Sequence, residues 1–309
     1  MSTSNHATTA PHSRHSHRLS VPSGGTKTSF ECMMSSSNGS SSVTPSQYFA
    51  RLIDVSQMDL QSALDQMKAL LSLSPSQTQK VFKMAYYRKQ TKNHWARDDP
   101  AFCALQIVFL CLSCTAYCIA FRKGSILSST LKFCATSIGI HYIGLGFILA
   151  TLTRTIANQH LQNSYSTSHV KQTVEWLYAF DIHCNAFFPA FVLLYGLQFF
   201  LLQIVLGTSL VALSISNTLY AIAGVWYCYV THLGYRGKYT PSSPYRSYKT
   251  TTFTLTLLLF LALPFLNNTE VFLFPIVGIL FLYILNFIGY PFGFGWNASR
   301  IVAHVYFDS

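Results

Sequence analysis

The sequence predicts an all-α, polytopic membrane protein: a bundle of five transmembrane helices, preceded by cytosolic amphipathic helices and a disordered N-terminal tail. Three observations predict it. Only 10% of the 309 residues are charged and 50% are hydrophobic, against roughly 25% charged in soluble domains. The two halves also differ: residues 1–97 hold most of the Ser, Thr and charge, whereas 101–290 contain long stretches with almost none. Several of those stretches reach the ~20 apolar residues that cross a hydrocarbon core about 30 Å thick.

The chain divides into a Ser/Thr/His-rich tail at 1–44, cytosolic amphipathic helices with a basic juxtamembrane segment at 45–97, and a five-span membrane domain at 98–309. The tail holds too few large apolar groups to offset chain entropy, and His12, His15 and His17 read as a solvated stretch rather than a metal site. It lacks the apolar core of a signal peptide, so the first internal span is expected to direct insertion. From Pro45 onward Phe49, Leu52, Ile53, Leu60, Ala63, Leu64, Met67, Leu70 and Leu71 recur at helical spacing. Ser74 and Pro75 then form a helix start, and the second helix carries Val81, Phe82, Met84 and Ala85. Two readings stand for this pair: packing on the membrane face or the protein's own spans, or docking a cytosolic partner.

The expected spans are Ala101–Phe121, Leu131–Leu152, Phe187–Leu206, Leu210–His232 and Val271–Tyr290, with a polar connection at 156–174 and an amphipathic run at Val174–Asn185 leading into the third. Cys111, Cys114 and Cys118 share one helix face and read as helix-packing residues, not a disulfide framework or metal site.

The net charge of +11 would suit nucleic acid or an anionic surface, but its placement speaks first for topology. Lys80, Lys83, Arg88, Lys89, Lys92, Arg97, Arg154, Lys171, Arg236, Lys238, Arg246 and Lys249 fall on one side of the spans; Arg122, Lys123, Lys132 and Arg300 fall on the other. The positive-inside rule therefore puts the N-terminus in the cytosol and the C-terminus in the lumen. Of two sequons, Asn297 would face the lumen too close to the last span for a glycan, and Asn267 would face the cytosol.

Polar residues within or beside spans are the candidate functional groups. The densest set is Glu175, Trp176, Tyr178, Asp181, His183 and Asn185. Glu175, Tyr178 and Asn185 share a helix face with Asp181 at its edge, whereas His183 points elsewhere. The set reads better as interhelical hydrogen bonding than as metal ligation by Asp181, His183 and His141. Arg97, Asp98 and Asp99 stand before Pro100 at the mouth of the first span. Either carboxylate suits that helix start, and Arg97 has a carboxylate or a lipid phosphate as its natural partner. No P-loop, HExxH, G-x-S-x-G or paired Cys-x-x-Cys motif occurs, so no catalysis, cofactor or metal is expected.

The stretch Tyr87-Arg88-Lys89-Gln90-Thr91-Lys92, followed by Trp95-Ala96-Arg97-Asp98-Asp99-Pro100-Ala101-Phe102, resembles the Unc-fifty (uncoordinated) family of Golgi membrane trafficking proteins. His94 stands where many members have Gln. Further matches are Val174-Glu175-Trp176 with Tyr178, Asp181, His183 and Asn185; Asn217-Thr218-Leu219; Leu233-Gly234-Tyr235; Leu263-Pro264-Phe265-Leu266; and Gly295-Trp296-Asn297. The resemblance covers the chain from about Arg51 to its end. It implies five spans, a cytosolic N-terminus and Golgi residence, with a nuclear-membrane site also attributed to the family. It implies support of vesicular traffic through recruitment of a large Arf guanine-nucleotide exchange factor, delivery of receptor cargo, and RNA binding. The cytosolic face formed by helices 46–90 and the 156–174 loop is the expected partner surface, with Arg88, Lys89 and Arg97 as the charges that recruitment depends on. A small transporter or lipid-handling protein with a polar site at Glu175, Asp181 and His183 is the alternative from another class; membrane-tethered RNA binding is a second.

One departure stands out. About 25 residues, beginning at Arg236 and running to 261, intervene where members pass almost directly from Leu-Gly-Tyr to Leu-Pro-Phe-Leu. Gly237-Lys238-Tyr239 is compatible with a splice-donor string, so this atypical insertion reads as a retained intron. If it is genuine, the uncharged run at 252–266 is short for a span.

Overall fold

Asp59 starts the second of the helices that precede the spans. Its carboxylate accepts the backbone N–H of Ser62 at 3.0 Å and starts a helix at Leu60, as N-cap acids do. This computed structural model describes residues 45–52, 58–72, 75–92, 94–121, 125–161, 173–239 and 268–308. The N-terminal tail, residues 162–172 of the polar connection, and 240–267 with the Asn267 sequon lie outside the described residues.

Ahead of the spans come α1 (Pro45–Arg51), α2 (Leu60–Leu71) and α3 (Pro75–Lys92). Ala63, Met67 and Leu70 recur at helical spacing and are the buried residues of α2. That face lies against α3 and against the first and third spans.

Five helices among the described residues are long and apolar enough to cross a membrane: α4 (Ala101–Phe121), α5 (Ile126–Gln159), α6 (Trp176–Phe200), α7 (Leu210–Tyr239) and α8 (Val271–Phe292). No strand occurs among the described residues. The expected all-α bundle with five span-length helices is therefore observed, with two differences in the spans. α5 has 34 residues and measures about 50 Å at 1.5 Å per residue, well beyond the apolar stretch 131–152. Its ends are polar but still helical, and hydropathy registers only the apolar middle. The amphipathic run at 174–185 and the third span are one helix, α6, which ends earlier than expected. Pro189 removes a backbone donor inside it, a π-helical segment follows at Val192–Leu197, and the helix breaks at Leu201.

α6 is the central helix, with 72% of its span window enclosed against 22–39% for the other four. Glycines on its neighbours admit it. A Cβ at Gly146 of α5 would lie 2.6 Å from His183 Cδ2, and one at Gly234 of α7 would lie 2.8 Å from Ile182 Cγ1. Such close approach is how membrane helices gain packing where lipid gives no hydrophobic drive.

The spans give the bundle a near end, carrying α1–α3, and a far end. At the far end a short helix, α9 (Ala298–Ala303), is capped by Asn297, whose Oδ1 accepts the Arg300 N–H at 3.1 Å. Phe307 beyond it stacks on Phe121 at 4.1 Å. At the near end the ring of Tyr235, late in α7, stacks on that of Phe272, at the start of α8, at 4.4 Å. The chain thus leaves α7 and enters α8 at the same end of the bundle.

Candidate functional site

The segment from His94 to Pro100 ties the near end together, each polar residue holding a different element. The backbone N–H of Trp95 donates to both carboxylate oxygens of Glu175, at 3.3 Å each, at the head of α6. The Trp95 ring is buried, with Tyr178 and Tyr86 at centroid distances of 5.7 and 6.3 Å. Asp98 pairs with Lys92 at 2.8 Å and faces His94 at 3.3 Å, while its carbonyl accepts from Arg51 of α1. One oxygen of Asp99 accepts the Ala101 N–H at 2.9 Å and starts α4; the other accepts the Asp59 N–H at 3.0 Å. Asp99 therefore links the first span to α2.

Beneath this segment, Arg88 of α3 reaches the head of α6. Its Nη2 lies 3.7 Å from Asp181 Oδ2, with the two side chains 25% and 11% exposed, and donates to the Trp95 carbonyl at 3.4 Å. Burial pulls the Arg88 guanidinium below its ordinary pKa, and the Asp181 carboxylate opposes that shift. Asn185 Nδ2 donates to the Asp181 backbone carbonyl at 2.7 Å, and its oxygen accepts from Gln66 of α2. Arg97 is 8% exposed beside this pair. Tyr48 of α1 is buried near Cys103, Cys184 and Asp181; burial first, then those groups, push its phenol well above the ordinary value.

A cleft of about 240 Å³ opens between α2 and α3, with Gln66, Arg88, Arg97, Asp181 and Asn185 among its lining. Of the residues singled out from sequence, the structure brings together Arg88, Trp95, Arg97, Asp98, Asp99, Glu175, Asp181 and Asn185. Lys89 sits half-buried on α3. Trp176 turns to α5, where its indole N–H donates to Thr151 Oγ1 at 3.0 Å.

His183 points away from the cleft. Its Nε2 lies 3.1 Å from the Tyr142 carbonyl, which can only accept, and Nδ1 lies 2.8 Å from the Tyr227 hydroxyl. His141 is near the far end between Tyr195 and Tyr306. Glu175, Asp181, His183 and His141 thus go to separate partners rather than converging. Among the described residues no three His, Cys, Asp or Glu side chains are grouped to hold a metal. The Tyr142 and Tyr227 partners of His183 and the Gln66 partner of Asn185 escaped sequence reading. Gln106, whose Nε2 donates to the Cys184 carbonyl at 2.8 Å, carried a signal in being a lone amide within an apolar run.

Sequence comparison bears directly on this arrangement. The profile of the UNC-50 family matches residues 48–237, spanning the segment at 94–100 and the head of α6. The chain belongs to the UNC-50 family. The UNC-50 homolog of Dictyostelium discoideum is 39% identical over 262 residues, 84% of this chain and 87% of the relative. The Homo sapiens homolog is 34% identical over 261 residues, covering 84% and 86%, and the Danio rerio homolog 35% over 257, covering 82% and 84%. No solved structure matches the chain. The UNC-50 profile match ends at residue 237, at the opening of the 236–261 stretch.

Proposed function

We propose that this UNC-50 family member is a non-enzymatic Golgi membrane scaffold for vesicular traffic. Its near end faces the cytosol, where it recruits a large Arf exchange factor and so aids delivery of receptor cargo. The observation that carries the reading is the division of the α2–α3 hairpin into two faces. The inner face is locked to the spans through Arg88, Met67 and Phe82. The outer face presents Tyr87, 57% exposed, with Leu60, Leu64 and Leu71 and the exposed Lys83, while Lys80 and Met84 stand at the cleft between the two helices. Exposed apolar groups rimmed by cations form a surface for a partner with apolar and acidic groups.

Because Arg97 is buried and Arg88 is paired with Asp181, charge reversal at them would disturb the fold along with any partner. The test uses Lys83→Glu with Tyr87→Ala instead. Exchange-factor recruitment, read by proximity labelling from the N-terminus, should fall at least fivefold while the protein stays at the Golgi. Unchanged recruitment would sink this surface. Protease protection of the N-terminus in sealed vesicles with outward-facing cytosolic leaflets would overturn the orientation.

A further inference from the structure

The cleft under the hairpin carries more positive charge than its own residues neutralise. Arg88, Arg97 and Lys80 line it against two carboxylates, Asp65 and Asp181, and the buried Asp181 on its floor is shared by both guanidiniums. Arg97 is nearly as enclosed as Asp181 and feels its charge, yet no hydrogen bond from its guanidinium reaches a described residue. The Nε of Arg88 is also buried without a partner, and Lys80 stands at the rim. A guanidinium nitrogen buried without an acceptor, as Arg88 Nε is, is disfavoured. Two planar donor groups around one opening match the oxygens of a phosphate, the geometry at which Arg excels.

Depth narrows the source. Arg97 lies four residues before the first residue of α4, and Asp181 lies within the first turns of α6. The opening is therefore level with the ends of the spans, where phospholipid headgroups sit. Its volume of about 240 Å³ is below the 300–1,000 Å³ of ordinary small-molecule pockets and suits a headgroup with little beyond the phosphate. We infer that the cleft between α2 and α3 binds a phosphomonoester, supplied by the headgroup of an anionic bilayer lipid, through Arg97 with help from Arg88 Nε and Lys80. The site is independent of partner docking on the outer face of the hairpin.

The test uses the full-length chain in neutral detergent, titrated with dioctanoyl phosphatidic acid and read by thermophoresis. Saturable binding is expected, at least tenfold tighter than for dioctanoyl phosphatidylcholine. Arg97→Gln should weaken it at least tenfold, and Arg97→Lys at least threefold, because an ammonium lacks the two-pronged donor. Lys80→Gln, at the exposed rim, should weaken it about threefold without risk to folding, and Lys132→Gln on the far half of α5 should change nothing. Asp181→Asn should tighten binding, since it removes the carboxylate that competes for both guanidiniums. Equal binding by wild type and both the Arg97 and Lys80 variants would overturn the site. Inorganic phosphate binding as tightly as the lipid would overturn the lipid source, leaving a site for free phosphate.

Discussion

The Trp95 N–H points between the two carboxylate oxygens of Glu175, 3.3 Å from each. This contact joins residues 80 positions apart and fixes the approach to α4 against the head of α6. A hydrogen bond to a charged acceptor contributes about 1.5–3 kcal/mol when buried. Glu175→Ala should destabilise the protein by about 2 kcal/mol in thermal unfolding, and Glu175→Gln, which keeps one acceptor, by about half as much. Equal loss in both variants would show that the charge, not the acceptor, matters.

A double-mutant cycle tests the Arg88–Asp181 pair. Removing either side chain alone leaves the other charge buried, at a cost near the lower bound of about 3–5 kcal/mol because both are slightly exposed. The pair Arg88→Met with Asp181→Leu should recover most of that loss, since apolar replacements of similar volume remove both desolvation penalties. Additive single losses would show that the two groups are not coupled in the folded protein.

The glycines around α6 give a graded series. Gly146→Ala and Gly234→Ala place a Cβ within 2.6 and 2.8 Å of neighbouring side-chain atoms and should each cost about 1–3 kcal/mol. Gly139→Ala, where nothing lies within 4 Å, should be neutral or slightly stabilising. Equal melting temperatures for all three would contradict the helix spacing.

Asn297 is the Asn of a sequon, yet its amide is already engaged. The Nδ2 donates to the Val205 carbonyl at 2.7 Å and the Oδ1 caps α9. A folded chain leaves no free amide nitrogen there for a glycan. No glycosidase-sensitive mobility shift should depend on Asn297, and Asn297→Ala should cost about 1 kcal/mol as a lost cap. A shift abolished by that variant would refute this packing.

The spans were legible because hydropathy measures the property a bilayer selects. The ends of α5 and the start of α6 were harder. The polar run from Glu175 to Asn185 resembles an interfacial helix only while its partners are unknown. Once Trp95, Arg88 and Gln66 are placed against it, the same polarity is satisfied inside the protein. The divergence of Asp181 and His183 followed from helical periodicity alone. The convergence of Arg97, Arg88 and Asp181 did not, because it depends on contacts that fold 80 or more residues of chain back on themselves. Burial also recast Arg88 and Arg97, which their charge alone marked for the surface.

The stacked rings of Tyr235 and Phe272 have a consequence for the gene as well as the protein. Because they bring both sides of a junction to the same end of the bundle, the helices on either side keep their sense as long as the chain between them returns to that end. A version joining Tyr235 directly to Ala262 should insert with the same sidedness and melt within a few degrees of the longer chain. The near end would then act as a tolerant seam, where a change in exon boundaries alters the sequence without inverting the helices that follow.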